Sequence, residues 1–453
     1  MLAIDAGEAR AIEGFVERHP TPPTFNGTTK DGLRALLRNA HTDSGGVELV
    51  AFDARGTRAF MRLKSKKSGR MAAATFELDE KGNPNGFEMW PLRNDGVFKP
   101  NPFPAGKFDS RGVIREVRRY LAKLAKEDAF SGTVLIAQGD RVLMHTAQGL
   151  ADRKFGVPVT KETKFHLASV GKLFTTAIVG QLVQEGKLGL EDVVGKHLPD
   201  YPDPAVRDKV TIRHLLSHTA GTGSVFGSPG YDRNRRYANA GEMTSALKDE
   251  ALLFPPGSSW SYSNGGYVVL GAIAERITGR DYRSVASERV WRPLGMTSTD
   301  IVGDKVIVPG LASIYDRDPL DPFGVRPMQH DAIQYGWIGG PHGGGHSTAM
   351  DLFRLARGFM SHRLLRQDTL ATLLTAPNEP AKRARFVSGF ETLDVAGQRV
   401  FGHGGHNRAE VSMFPELDVT VVVLGNDLYN MAPPVSRRVC EFIAKNAASF
   451  RRK

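Results

Sequence analysis

The sequence predicts an α+β protein. An antiparallel sheet is flanked by helices and interrupted by a helical subdomain, and a small α+β domain lies ahead of it. Three observations lead there. Strand-like runs stand near both ends of the larger region, 132–138 with 141–148 at its start and 410–414 with 419–424 at its end. A long stretch of helical apolar spacing lies between them, so one sheet is closed by both ends of that region. Ahead of it, helical pieces and four further strand-like runs stop at 98–109, where three prolines and a glycine read as a linker.

Composition narrows the function classes. The 453 residues, 41% hydrophobic and 24% charged, have an ordinary globular balance that excludes a disordered chain. The lone Cys440 excludes an internal disulfide or a cysteine metal cluster, and reads as a small buried side chain in a C-terminal helix. The net charge of +11 raises the question of nucleic acid. Its densest cluster, Arg62, Lys64, Lys66, Lys67 and Arg70, surrounds a hairpin tip at Ser68 and Gly69 and reads as solvated. No nucleic-acid motif accompanies it. No apolar run approaches the roughly 18 residues that span a bilayer, and the first residues lack a basic segment leading into an apolar one.

Taken in chain order, Leu33, Leu36 and Leu37 give a helix that Ser44, Gly45 and Gly46 stop. Strands follow at 47–52, 57–63, 71–78 and 86–92, separated by turn residues. The small domain is thus expected over 1–108 and the larger one over 109–453. A helix at 113–127 leads into the hairpin turned by Gly139 and Asp140. Phe174, Ala177, Ile178, Leu182 and Val183 predict a helix ended by Gly186. Another runs over 267–278. Pro415 to Asp418 turn the second hairpin, and a last helix occupies 434–448.

Three short motifs carry the chemistry. Ser169 opens the first of these helices with Lys172 three residues on, so the two share a face. Ser169 is either a helix cap or a nucleophile. A serine hydroxyl needs a base, and a lysine can serve if burial or a neighbouring cation lowers its pKa. Lys172, beside Leu173 and Phe174, has the apolar setting for that. Tyr262 and Asn264 lie in a loop before the 267–278 helix, the phenol as a proton relay and the amide as a holder of Lys172 or substrate. His403, Gly404, Gly405 and His406 precede a hairpin, where the glycines let a substrate lie along a strand edge. His403 is expected to supply a hydrogen-bond donor or a charge opposite Tyr262.

In this order the motifs resemble the serine β-lactamase-like hydrolases: class C β-lactamases, D-Ala-D-Ala carboxypeptidases, D-aminopeptidases and family VIII carboxylesterases. The likeness covers about 113–448. It extends to Val210 through Gly221 and to Gly343 through Leu352, which look like segments of that family. It implies a β-lactamase/penicillin-binding-protein-like fold and a metal-independent, cofactor-free acyl transfer through Ser169, Lys172 and Tyr262. Asn264, His403, Gly405 and His406 line the substrate, with the oxyanion between the main-chain N–H groups of Ser169 and His406. Which of Lys172 and Tyr262 is the acylation base stays open. The family often works outside the cytoplasm, which implies a periplasmic or secreted protein.

The third motif departs from class C β-lactamases, which carry Lys-Thr-Gly where this chain has His403, Gly404 and Gly405. That favours a small ester or peptide-like amide as substrate. D-Ala-D-Ala carboxypeptidase or weak β-lactamase activity is the alternative, and a non-catalytic peptidoglycan- or β-lactam-binding protein is a second. The nearest approach to an α/β-hydrolase Gly-x-Ser-x-Gly elbow, Gly345 to Ala349, lacks its last glycine. Arg408 is expected to pair with Glu410. His214 and His218, four apart, have metal-ligand spacing on a helix, but no third ligand is evident.

Overall fold

The structure, a computed structural model, describes residues 9–18, 30–55, 58–78, 84–92, 102–228, 230–232, 235, 237–248, 250–302, 306–316, 329–330, 339–406, 408–427 and 432–451. The chain divides into two compact units, Met1–Pro102 with Tyr315–Asp331, and Phe103–Ile314 with Ala332–Lys453.

In the first unit, helices α1 (Ala9–Arg18) and α2 (Lys30–Ser44) precede four strands, β1 (Val47–Arg55), β2 (Arg58–Ser65), β3 (Met71–Leu78) and β4 (Pro84–Leu92). The strands form an antiparallel meander in chain order. Ile12, Val16, Leu36 and Leu37 of the helices pack with Val47, Leu63, Ala72 and Ala74 of the sheet. The expected strand start at Thr57 lies outside the described residues, as do 93–101 of the expected linker.

The second unit holds helix α3 (Ser110–Lys126), the hairpin β5 (Gly132–Gln138) and β6 (Arg141–Gln148), and helices α4 (Lys172–Gln184), α5 (Asn264–Thr278) and α6 (Ala349–Met360). Strands β7 (Phe386–Val387), β8 (Phe390–Val395), β9 (Gln398–Gly405), β10 (Ala409–Phe414) and β11 (Val419–Gly425) follow, then helix α7 (Ala432–Lys445). The seven strands make one antiparallel sheet in the order β7-β8-β9-β10-β11-β5-β6. Closure comes from β11 against β5, from Val419 opposite Gln138 to Gly425 opposite Gly132. Both strands are buried along nearly their whole length because helices cover both faces. Helices α3 and α7 lie against one face and α6 against the other. No helix among the described residues is long and apolar enough to cross a membrane.

The two hairpins fall within a residue of their expected bounds. The helix expected at 113–127 starts three residues earlier, because Asp109 accepts the N–H of Gly112 as its cap. Helix α5 starts at Asn264 instead of Tyr267, because the Ser263 side chain caps it by accepting the Gly266 N–H. Both α4 and α5 are apolar almost all round, as suits helices enclosed by other elements.

Candidate active site

Ser169 does not cap a helix. It sits inside a 3₁₀ turn, Ala168–Gly171, that runs directly into α4, and neither helix start has a side-chain cap. The turn is clamped by a glycine loop. Leu167 N–H donates to Gly345 O, Gly344 N–H donates to Ala168 O, and a Cβ on Gly343 would stand 2.7 Å from Ala168 O. On the other side, a Cβ on Gly405 of β9 would stand 2.1 Å from Leu167 O. Ala168 takes a φ of +46°, a conformation that costs a side-chain-bearing residue about 1–2 kcal/mol and holds only where its surroundings enforce it. The Gly343–Gly345 segment, which sequence reading matched only as a family likeness, thus builds the floor under Ser169.

Lys172 is completely buried at the start of α4. Its Nζ lies 3.3 Å from Ser169 Oγ and 2.7 Å from Asn264 Oδ1, and it donates to the carbonyl oxygen of His342. It also stands 4.8 Å from the ring centre of Tyr262 and 5.4 Å from that of Tyr267. Burial holds its pKa well below the ordinary 10.5. The two π-faces favour the ammonium by about 0.5–2 kcal/mol each, whereas burying an ammonium without a counter-ion costs several kcal/mol. Burial therefore wins.

Burial pushes the pKa of Tyr262 above the ordinary 10.0, against the opposing influence of the neighbouring Ser169 hydroxyl. The phenol keeps its proton. Ser169, Lys172, Tyr262 and Asn264 thus converge from two separate parts of the chain, with Asn264 Oδ1 accepting from Lys172.

The ring centre of His403 lies 6.5 Å from that of Tyr262 and 5.2 Å from that of Phe386. Its Nδ1 lies 2.6 Å from Gly404 O, and since a carbonyl only accepts, Nδ1 carries the ring proton. Burial, reinforced by Lys172, lowers its pKa to about 3. His403 is therefore neutral and turns an Nε2 acceptor away from Gly404, which corrects the expectation of a donor or a charge. Gly405 ends β9, and His406 follows with a φ of +37°.

The two histidines with metal-ligand spacing are separated by the end of a helix. His214 completes a capping box, its Nδ1 accepting the Thr211 N–H while Thr211 accepts the His214 N–H. His218 lies beyond that helix, which ends at Leu216, so the pair does not share a helix face. Glu410 is not paired with Arg408. It faces Glu391 across Gly404, with Arg437 the nearby cation, and burial and the neighbouring carboxylate raise its pKa. Cys440 is buried in α7, and burial pushes its thiol up to about 12.

Comparison with known proteins gives a consistent picture. The profile of the Beta-lactamase family matches residues 117–440. Penicillin-binding protein 4* of Bacillus subtilis is 32% identical over 241 residues, covering 51% of this chain and 52% of that protein. Esterase EstB of Burkholderia gladioli is 37% identical over 213 residues, covering 44% and 54%. The chain thus spans about half the length of these curated relatives. Among solved structures, EstCE1, a hydrolase with promiscuous acyltransferase activity, superposes with a TM-score of 0.61 at 25% identity, covering 73% of this chain and 98% of that one. D-amino acid amidase from Ochrobactrum anthropi SV3 shares the fold, with a TM-score of 0.60 at 20% identity over 71% of this chain and 96% of that one.

Proposed function

Since the chain belongs to the Beta-lactamase family, we propose that it is a serine hydrolase that forms an acyl-enzyme on Ser169 and cleaves a small ester or peptide-like amide. The observation that carries this reading is the approach of Lys172 Nζ to 3.3 Å from Ser169 Oγ, with the Tyr262 ring beside the same amino group. A neutral amine has two N–H groups and one lone pair. Asn264 Oδ1 and His342 O take the two N–H groups, and the lone pair is left for the Ser169 proton. Lys172 is accordingly the acylation base. Tyr262, which keeps its proton, donates to the leaving group.

In the first half-reaction Ser169 Oγ attacks the substrate carbonyl carbon while its proton passes to Lys172 Nζ. The oxyanion is assigned to the main-chain N–H groups of Ser169 and His406. The C–O or C–N bond then breaks, the leaving group takes the Tyr262 proton, and Lys172 returns a proton to the phenolate. A water molecule repeats the sequence on the acyl-enzyme and frees Ser169.

The neutral His403 favours esters and uncharged amides over β-lactams and D-Ala-D-Ala peptides, whose carboxylates call for a cation in its place. The esterase EstB and the hydrolase EstCE1 are relatives in keeping with this choice. Turnover of p-nitrophenyl butyrate, nitrocefin and a D-Ala-D-Ala peptide by wild type and Ser169→Ala tests it. Butyrate ester hydrolysis is expected to lead and to fall at least about 10³-fold in Ser169→Ala. A fluorophosphonate is expected to label Ser169. Nitrocefin as the best substrate would reverse the ester assignment, and unlabelled wild type beside a labelled control hydrolase would remove the acyl-enzyme.

A further inference from the structure

Ser169 and Lys172 owe their spacing to one helical turn, but Tyr262 stands in the irregular segment ahead of α5. Its position must come from tertiary contacts, and one residue touches both Tyr262 and its two chain neighbours. The carbonyl oxygen of His218 accepts the Ser261 N–H at 3.0 Å, and its Nδ1 accepts the Ser263 N–H at 3.0 Å. Those are the two chain neighbours of Tyr262. Between them the imidazole stacks on the phenol ring, with centroids 4.5 Å apart and planes inclined by 28°. Phe386 meets both rings edge-on, at 4.9 Å from His218 and 5.7 Å from Tyr262.

The residue type suits this post. His218 is fully buried and takes a φ of +58°, where histidine and asparagine occur more readily than most residues. An N–H donated to Nδ1 requires a lone pair there, so the ring is neutral with its proton on Nε2. Burial, then Lys172 and then His403 all favour that neutral form. A ring that took up a second proton would break the bond to Ser263 and let the segment carrying Tyr262 shift.

We propose that His218 is a positioning residue for Tyr262, fixing the phenol over Ser169 by holding the residues on either side of it while touching no substrate. The proposal rests on the acyl-transfer reading above, in which Tyr262 donates to the leaving group. Buried core histidines are common, so the test must separate this role from simple packing.

Two substitutions divide the contacts in the full-length protein. His218→Asn keeps an acceptor near the Nδ1 position and tolerates the backbone, but removes the stacked ring. His218→Phe keeps a ring and removes the acceptor. Each is made alone and together with Tyr262→Phe, with p-nitrophenyl butyrate as the probe and thermal unfolding measured alongside. With Tyr262 present, each is expected to lower kcat about tenfold or more while KM changes less than about twofold. With Tyr262→Phe, the same changes are expected to alter the residual rate less than about twofold, because residues acting as a unit are not additive.

Losses that multiply with that of Tyr262→Phe, or a wild-type kcat in both His218 variants, would overturn the positioning role. If His218→Phe does not fold, His218→Asn carries the same cycle. Wild type that hydrolyses the ester no faster than Ser169→Ala would instead strike at the acyl-transfer reading, and the role of His218 would fall with it.

Discussion

At Lys172 two opposing demands meet in one side chain. Its hydrogen-bond partners and the flanking rings would serve an ammonium, yet its burial disfavours the charge, and its use as a base needs the neutral amine. The pH dependence of kcat/KM follows from that balance. A base lowered from 10.5 gains its active form as pH rises, so the rate is expected to climb along one limb that lies below pH 10.5. Tyr262 is raised above 10.0, so no falling limb is expected below about pH 10. His342 and His403, each lowered to about 3, add no limb between pH 5 and 9. Steady-state rates across that span check the expectation. A bell-shaped curve with a limb near 6.5 would mean that a histidine moves the proton. The pairing of Ser169 with Lys172 was legible from a spacing of three, but the charge state of His403 was not. Sequence shows that a histidine is present, whereas burial and the carbonyl of Gly404 decide which nitrogen holds its proton.

Strand β9 and the 3₁₀ turn before α4 are set against each other by what β9 lacks. Gly405 has no side chain where the chain presses on Leu167 O, and any Cβ there would also stand 3.3 Å from the Ala409 Cβ. The contact is with main chain, which cannot swing aside as a side chain would. Gly405→Ala is expected to push β9 away from the Ser169 turn and to lower kcat/KM about 100-fold. Gly404→Ala is the control. Its Cβ would meet the Glu410 Oε2 at 2.9 Å, the far end of a side chain able to turn away. Equal losses in the two variants would refute the steric account. Elements whose own residues settle their form, such as the β5–β6 hairpin around Gly139, were legible in the sequence. The start of α5 was less so, because Gly265 and Gly266 interrupt the apolar spacing just after the Ser263 cap. The clamp formed by His218 was not legible, since its three parts meet only after residues about 45 apart fold together.

On the scale of the whole molecule, the sheet that carries the site depends on a chain returning to its own beginning. Strand β11 pairs with β5, and helix α7 then lies across the same sheet as α3. The segment leading into α3 fastens that arrangement. Phe103 stacks on Phe442 of α7, with centroids 4.1 Å apart and planes 8° from parallel, and meets Tyr120 of α3 edge-on at 5.2 Å. Phe108 N–H donates to Asn446 Oδ1 at 2.8 Å, and Lys107 Nζ reaches the Lys445 carbonyl at 2.8 Å. The second half of the segment that reads as a linker therefore packs as part of the larger unit, a role that its prolines and glycine mask in the sequence. Two shortened chains, one starting at Phe103 and one at Asp109, both lack residues 1–102 and differ only by residues 103–108, which make these contacts. Losing a buried phenylalanine costs about 3–5 kcal/mol, and an aromatic pair adds roughly 1 kcal/mol. The chain starting at Asp109 is expected to melt about 5 °C or more below the other, since each kcal/mol moves the midpoint of a large domain by roughly 2 °C. Equal melting temperatures would mean that α7 is held on the sheet without help from the residues before α3.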